Sequence, residues 1–353
     1  MKIGIFSKFA MSGGSEFRCA ALASGIAKFT EHEAYLISDR GLPAKIKDTL
    51  HPDVTIIHHA FRSEESVKIF YEMDKLLIIN TDSKFFTLVD FWEGKTPQNK
   101  IFVDLSKIKQ MNFLFNFIVS PARHLCHINK ICKDVRVLTT NKRFFNEITT
   151  KDKHKPIRHL PRMILRSPIN PDTVSDCKII SDKIRIGKHS KGMGGKWNKE
   201  HLDVIMKVNQ KVGEKVIWDF MGMPRDMINK VKDLPNVITR KEFSLPVGDF
   251  LSCIDIFFFF NAWDRQEPWA RAMGEGMCAG CAVLANKDNA GNEEQILHGN
   301  NGYLFKNSQE AISHLIHLVN NPELIKVMGR NNLIYSREFC SENVIKQLLN
   351  FIR

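Results

Sequence analysis

Two glutamates, Glu267 and Glu275, stand with seven residues between them in the part of the chain best suited to chemistry. A hydrophobic run at 254–260 precedes them, and Pro268 occupies a place where the first turn of a helix tolerates proline. The pattern predicts a strand, a turn and a helix, with one carboxylate at the turn and the other about two helical turns later. Because the start of a helix favours anions, such a site suits a ligand with both hydroxyl and phosphate groups, such as a nucleotide sugar.

The residues after Glu275 extend this pattern. They form a small-residue turn with a short apolar stretch at 280–285, the run Asn-Ala-Gly-Asn-Glu-Glu-Gln-Ile at 289–296, and a glycine turn at 299–305. In this order the segments resemble the retaining GT-B glycosyltransferases that carry a Glu-x7-Glu motif, the family 4-like enzymes. The resemblance implies an α/β GT-B fold, in which two Rossmann-like domains with parallel sheets face each other across a cleft. It also implies retaining, metal-independent sugar transfer from a nucleotide sugar to an acceptor hydroxyl.

The resemblance assigns roles to the residues around the two glutamates. It implies that Glu267 binds sugar hydroxyls of the donor, that Glu275 binds the ribose, and that backbone groups near Pro268, Trp269 and Ala270 face the phosphates. The stretch 237–241, which contains Arg240, lies where the family binds the nucleotide base. The first loop of the chain matches the family's glycine loop near the donor phosphates, through Gly13 and Gly14, where close approach of a backbone is sterically allowed.

Cations for the diphosphate are expected in the loop at 184–198. The resemblance places an Arg or Lys after a glycine here and a Lys several residues later, and Lys188 and Lys196 match, with Lys191 competing for the second role. Positive charge held where negative charge develops on the leaving group lowers the reaction barrier. Lys188 replaces the family's usual arginine, and lysine lacks the two-pronged geometry of a guanidinium. We predict no metal and no cofactor beyond the substrate, expected to be UDP-linked.

Apolar strand-like runs alternate with amphipathic helical runs along the whole chain, which predicts parallel α/β layers. The predicted elements include strands at 100–103, 117–119 and 216–221 and helices at 201–212 and 267–279. Two prolines within four residues, Pro168 and Pro171, interrupt this alternation and predict a linker at 165–173. The predicted domains are therefore an acceptor domain at 1–168 and a donor domain at 169–335. The resemblance implies that a last helical segment, 336–353, crosses back to the first domain.

Bulk composition fits a globular chain, because 43% of its 353 residues are hydrophobic and 25% are charged. No apolar stretch approaches the roughly 20 residues that a membrane span needs, and the first residues read as a strand and not as a signal peptide. We therefore predict a cytoplasmic protein with free cysteines, in the host cytoplasm if the gene belongs to a phage. Cys278 and Cys281 form a single C-x2-C without further ligands, and we predict that they bind no metal.

The acceptor is the open question. The formal net charge is +12, and residues 123–166 hold twelve Lys or Arg against three acidic residues. This stretch predicts a polyanionic partner, contacted by Arg123, His124, Lys142 and Arg143 among others. Our favoured acceptor is a hydroxymethylated base in phage DNA. The alternatives are a lipid-linked envelope glycan at an anionic membrane surface and a non-catalytic binding module, and no obligate protein partner is predicted.

Overall fold

The computed structural model covers both halves of the chain. It describes residues 1–7, 14–38, 41–58, 72–79, 112–116, 134–151, 155, 158–170, 173–174, 178–179, 181–193, 195–265, 267–287 and 291–353. Residue contacts divide the chain into two compact units. The first unit comprises Met1–Pro168 and Ser341–Arg353, and the second comprises Ile169–Cys340.

The described residues of the first unit form a parallel sheet of seven strands. The strands, in chain order, are β1 (Lys2–Ser7), β2 (Glu33–Ser38), β3 (Thr55–Ile57), β4 (Lys75–Ile78), β5 (Asn112–Asn116), β6 (Asp134–Thr139) and β7 (Arg162–Ile164). They lie side by side in the order β3-β2-β1-β4-β5-β6-β7. The helices described in the two sequence segments of this unit are α1 (Gly14–Phe29), α2 (Ala44–Lys47), α3 (Lys142–Thr150) and α11 (Ser341–Ile352).

The second unit contains a parallel sheet of six strands. These are β8 (Ile184–His189), β9 (Val216–Met221), β10 (Val237–Arg240), β11 (Ile256–Phe259), β12 (Ala282–Asn286) and β13 (Gly302–Phe305). The described helices between and after them are α4 (His201–Val212), α5 (Arg225–Val231), α6 (Val247–Ser252), α7 (Arg271–Cys278), α8 (Gly291–Gln295), α9 (Ser308–Asn320) and α10 (Pro322–Ser336). The strand order is β10-β9-β8-β11-β12-β13.

Burial explains why these segments form these elements. All four residues of β11 are buried, as a central parallel strand covered on both faces requires. In α4 the buried side chains recur every three or four residues, which places one helical stripe on the sheet. The core of the second unit combines aromatic residues such as Trp218, Phe258 and Phe260 with aliphatic side chains from α4 and α9.

The strand order of the second unit reverses direction between β8 and β11, which are neighbours in the sheet. In open α/β sheets ligands bind outside the carboxyl ends of the strands at such a point. The two loops that leave these ends, at 190–200 and 260–270, contain the residues singled out from the sequence. The fold therefore brings together two segments that are about 70 residues apart in the chain.

Several predicted boundaries differ from the structure. We expected a helix at 267–279, but α7 begins at Arg271, because Ala270 is extended (φ −80°, ψ 91°). The contacts assign residues up to Cys340 to the second unit, so the crossing segment begins at 341 and not at 336. Predicted strands at 100–103 and 117–119 lie outside the described residues. Among the described helices, none has the length and apolar character needed to span a bilayer.

Candidate active site

Lys188, the next-to-last residue of β8, points into the protein interior. Its side chain is fully buried, and its ammonium donates to the Lys196 carbonyl (2.6 Å), the Phe260 carbonyl (3.0 Å) and Asn261 Oδ1 (3.0 Å). An ammonium has three donors, so these acceptors use all of them. Burial, with a smaller contribution from nearby Lys196, lowers the pKa of Lys188 well below its ordinary value. In this structure Lys188 ties the two loops together and does not point out of them.

Other hydrogen bonds join the same two loops. Asn198 donates its backbone N–H to the Phe260 carbonyl (3.2 Å) and its side-chain amide to the Asn261 carbonyl (3.0 Å). The Ala262 N–H donates to the Gly195 carbonyl (3.1 Å). Because the contacts come from several positions, residues 195–198 of one loop are held against residues 260–262 of the other.

Glu267 lies beside the joined loops, and two cations contact it. Lys196 Nζ and Arg265 Nε both donate to Oε1 of the carboxylate, the latter at 2.6 Å. The Glu267 side chain is 10% exposed, against 27% for Lys196 and 36% for Arg265. Burial alone would raise the pKa of Glu267, but the two cations outweigh burial and hold the pKa below its usual value. The carboxylate is therefore charged near neutral pH and fixed in position.

Hydrogen bonds from α8 hold the segment after Glu267 in place. The Ala270 N–H donates to Gln295 Oε1 (3.0 Å), and Gln295 Nε2 donates back to the Ala270 carbonyl (3.2 Å). The Gly291 N–H donates to the Glu267 carbonyl (2.8 Å), and a Cβ on Gly291 would lie 2.5 Å from that carbonyl oxygen. Close backbone approach thus explains the glycine at position 291. The Ala270 amide, which we predicted to face phosphate, is occupied by Gln295 in this structure.

The two other predicted residues of this segment are proline and tryptophan. Pro268 has no N–H and can contribute only its carbonyl and its ring. Trp269 is 7% exposed, and its ring packs edge-on against Phe339 at 5.5 Å. The tryptophan side chain therefore belongs to the core beneath the segment.

Glu275 lies on the second turn of α7 and is 13% exposed. Arg271 Nε donates to Glu275 Oε1 (2.9 Å), and His189 Nε2 lies 3.4 Å from Oε2. Burial lowers the pKa of His189 although the Glu275 carboxylate acts in the opposite direction. His189 ends β8, so the second glutamate also faces the point where the strand order reverses.

Arg240 ends β10, which β9 separates from β8, and Lys191 lies in the loop after β8. The Arg240 guanidinium binds Asp219 with two hydrogen bonds (2.8 and 2.9 Å), and this pairing raises the pKa of Arg240. Its carbonyl accepts from the Gly222 N–H (2.9 Å). Lys191 is half-buried, accepts from the Trp197 indole N–H (3.0 Å) through its carbonyl, and contributes to lowering the pKa of Lys196.

The predicted residues of the first unit are only partly described. Gly14 is the exposed first residue of α1, whereas Gly13, Arg123 and His124 lie outside the described residues. Lys142 is the exposed first residue of α3, and Arg143 Nε contacts Glu147 Oε1 at 3.2 Å. Part of the basic stretch is used within the fold, since Arg136 contacts the Phe351 carbonyl and ring and Arg162 lies over the Phe145 ring.

In the C-x2-C pair, Cys278 is partly buried at the end of α7 and Cys281 is buried just before β12. Burial raises the pKa of Cys278 to about 12, and burial also raises the pKa of Cys281. Both groups are therefore thiols near neutral pH, and metals bind the thiolate form. Among the described residues, no cluster of three His, Cys, Asp or Glu side chains is placed to hold a metal ion.

Sequence reasoning missed Arg265, Gln295 and His189. Arg265 stands two residues before Glu267 in the sequence, and its proximity to that glutamate was the available signal. Gln295 and His189 are distant from the glutamates in sequence, and only the fold shows that they contact Ala270 and Glu275.

Comparisons with known proteins agree with the fold. Residues 242–333 match the sequence profile of the family described as glycosyl transferases group 1. A comparison with curated proteins gives no match. Among solved structures, HepE of Anabaena in complex with UDP and glucose is similar, with 14% identity and a TM-score of 0.71, covering 100% of this chain and 99% of that one.

Two further glycosyltransferase structures are similar over nearly their whole length. A Rickettsia africae glycosyltransferase has 14% identity and a TM-score of 0.72, covering 99% of this chain and 97% of that one. WaaG, a glycosyltransferase involved in lipopolysaccharide biosynthesis, has 13% identity and a TM-score of 0.65, covering 100% of this chain and 99% of that one. The chain thus has the GT-B fold, with two units that each contain a parallel sheet.

Proposed function

We propose that the protein is a retaining, metal-independent glycosyltransferase that uses a UDP-linked sugar. The observation that carries this proposal is the Glu267 carboxylate fixed between Lys196 and Arg265 at the ligand-binding edge of the second sheet. The match of residues 242–333 to the glycosyl transferases group 1 profile includes Glu267 and Glu275. The bound UDP and glucose in HepE support the same class of donor.

The described groups suit the chemistry that this reaction needs. Lys196 would sit beside the diphosphate and offset the negative charge that develops as the bond to the anomeric carbon breaks. The charged Glu267 would accept hydrogen bonds from sugar hydroxyls and fix the ring in place, because an ionised carboxylate is a strong acceptor. In the retaining reaction the acceptor hydroxyl attacks on the face from which the diphosphate departs, and a departing phosphate oxygen takes the proton.

The first test is a Glu267→Gln variant. Glutamine keeps the size of the side chain but removes the charge that Lys196 and Arg265 contact, so sugar transfer should fall by about 100-fold or more if one charge-assisted contact in the transition state is lost. The exposed Glu214→Gln variant, on the turn after α4, is the control and should keep full activity. Transfer at the wild-type rate by a folded Glu267→Gln protein would refute the site assignment.

For the acceptor we propose a hydroxymethylated base in duplex DNA. Exposed cations at and just after α3, Lys142, Lys151 and Lys155, could bind phosphates of a DNA backbone. The second candidate is a lipid-linked envelope glycan, which the fold likeness to WaaG favours. Either acceptor would be met in the cytoplasm or at the inner surface of the membrane.

Nucleoside analysis distinguishes the two acceptors. The protein is incubated with a panel of nucleotide sugars and hydroxymethylated duplex DNA, and the digested nucleosides are weighed by mass spectrometry. A nucleoside heavier by one sugar supports the DNA acceptor. Slow hydrolysis of the donor without that mass shift refutes the DNA acceptor and directs the assay to lipid-linked glycans in anionic vesicles.

A further inference from the structure

We propose that Arg265 is a donor-binding residue that contacts the diphosphate together with Lys196, in the role that the family resemblance gave to Lys188. The inference rests on the proposed function and adds a residue to it. Neither the sequence pattern nor the glutamate motif pointed to this arginine. Three cations lie around Glu267, and they differ in whether they can reach a ligand.

Lys188 cannot reach a ligand in this arrangement. Its ammonium is fully buried beneath the two loops, and it lies 4.9 Å from the centres of the Trp197 and Phe259 rings. Its three donors are directed to protein oxygens on both loops. Turning Nζ outward would leave the Lys196 carbonyl and Asn261 Oδ1 without this donor, so Lys188 is a positioning residue for the loops.

Arg265 has the opposite environment. Its side chain is 36% exposed and uses one donor, Nε, on Glu267 Oε1. A guanidinium has five donors, and within the described part of the chain the two terminal nitrogens donate to no protein acceptor. The arginine lies against Gly195, where a Cβ would be 3.4 Å from Nη1. At that distance the guanidinium is in van der Waals reach of position 195, so it lies beside the loop that carries Lys196.

Charge balance supports the same assignment. The single carboxylate of Glu267 is shared by two partly exposed cations, Lys196 and Arg265, so their side of the site keeps a net positive charge. A nucleoside diphosphate carries more than one negative charge and gains from two cations at separate positions. The planar fork of arginine also fits phosphate oxygens with two parallel hydrogen bonds, which the lysine at 188 could not supply.

Nucleotide affinity tests the proposal directly. Dissociation constants are measured by calorimetry for UDP, GDP, ADP and dTDP, and for the monophosphate of the base that binds best. The ratio of the monophosphate constant to the diphosphate constant reports the contribution of the second phosphate. In Arg265→Ala this ratio should fall by about tenfold or more, because a hydrogen bond to a charged group is lost. Arg265→Lys should recover part of it, and the exposed Arg330→Ala on α10 should match the wild type.

The outcomes separate the inference from the function on which it rests. Arg265→Ala that melts like the wild type and keeps the wild-type ratio would overturn the role of Arg265 while leaving the glycosyltransferase proposal intact. If the wild type binds none of the four diphosphates, both proposals fail. A reduced ratio in Arg265→Ala, with the Arg330→Ala ratio unchanged, supports the inference.

Discussion

Replacing Lys188 with methionine tests whether this lysine binds substrate or stabilises the fold. Methionine has a similar unbranched length and no charge, so it fills the space while it removes all three donors. The Phe260 carbonyl would keep a partner, because it also accepts from the Asn198 N–H. The Lys196 carbonyl and Asn261 Oδ1 would both lose the hydrogen bond to Nζ.

The expected loss of stability follows from these two acceptors. A buried acceptor without a partner costs about 1–3 kcal/mol, so the pair costs about 2–6 kcal/mol. Removing the buried ammonium offsets part of this loss of stability, because a charge no longer has to be desolvated on folding. We expect a net loss of about 2–4 kcal/mol. For a unit of this size each kcal/mol lowers the melting temperature by about 2–4 °C.

Urea unfolding followed by tryptophan fluorescence measures this loss, because Trp197 and Trp218 lie in the core of the second unit. The exposed Lys199→Met variant is the control and should unfold like the wild type. Diphosphate affinity is measured on the same proteins. A Lys188→Met protein with wild-type stability and much weaker diphosphate binding would refute our reasoning, since it would show that Lys188 reaches the ligand.

Two other predictions concern stability and backbone packing. His201 donates through Nδ1 to the Asn198 carbonyl (2.8 Å), and burial lowers its pKa from 6.5 to about 3. The unfolded chain therefore binds a proton that the folded protein does not. The wild type should lose about 1.4 kcal/mol per pH unit below 6.5 from this group alone. His201→Phe should lose less stability than the wild type between pH 6.5 and 4.5, and equal acid sensitivity of both proteins, measured by urea unfolding, would contradict the prediction. Gly291→Ala should cost about 1–3 kcal/mol and reduce transfer, because the new Cβ would press on the Glu267 carbonyl; unchanged unfolding and activity would show that the contact is not tight.

Hydrophobic periodicity predicted much of the fold. The helix expected at 201–212 and the strand expected at 216–221 have those bounds in the structure, because the first segment has apolar residues at helical spacing and nearly every residue of the second is buried. The start of α7 was wrong by four residues. Local rules placed Pro268 in the first turn of that helix, whereas Gln295, from a later part of the chain, binds both backbone groups of Ala270 and keeps it extended.

The candidate site was predictable in its location and not in its internal geometry. Neighbouring positions of a buried strand face opposite sides of the sheet. The order of residues alone does not tell which side a given position faces, so the sequence could not show that Lys188 points inward. The pairing of Arg265 with Glu267 depends on a loop whose shape is set by hydrogen bonds to a second loop. Contacts of this kind join positions about 70 residues apart, and periodicity carries no information about them.

The C-terminal helix α11 also bears on how the protein is made. Gly25 of α1 lies so close to α11 that a Cβ would be 2.7 Å from Ile345, and Ile345 and Leu348 are fully buried. Synthesis is vectorial, so α1 leaves the ribosome some 300 residues before its partner does. At roughly 5–20 residues per second, its apolar face waits between about 15 and 65 s for cover. The second unit is continuous in sequence and can fold in that interval. The first unit therefore begins to be synthesised first and completes its fold last.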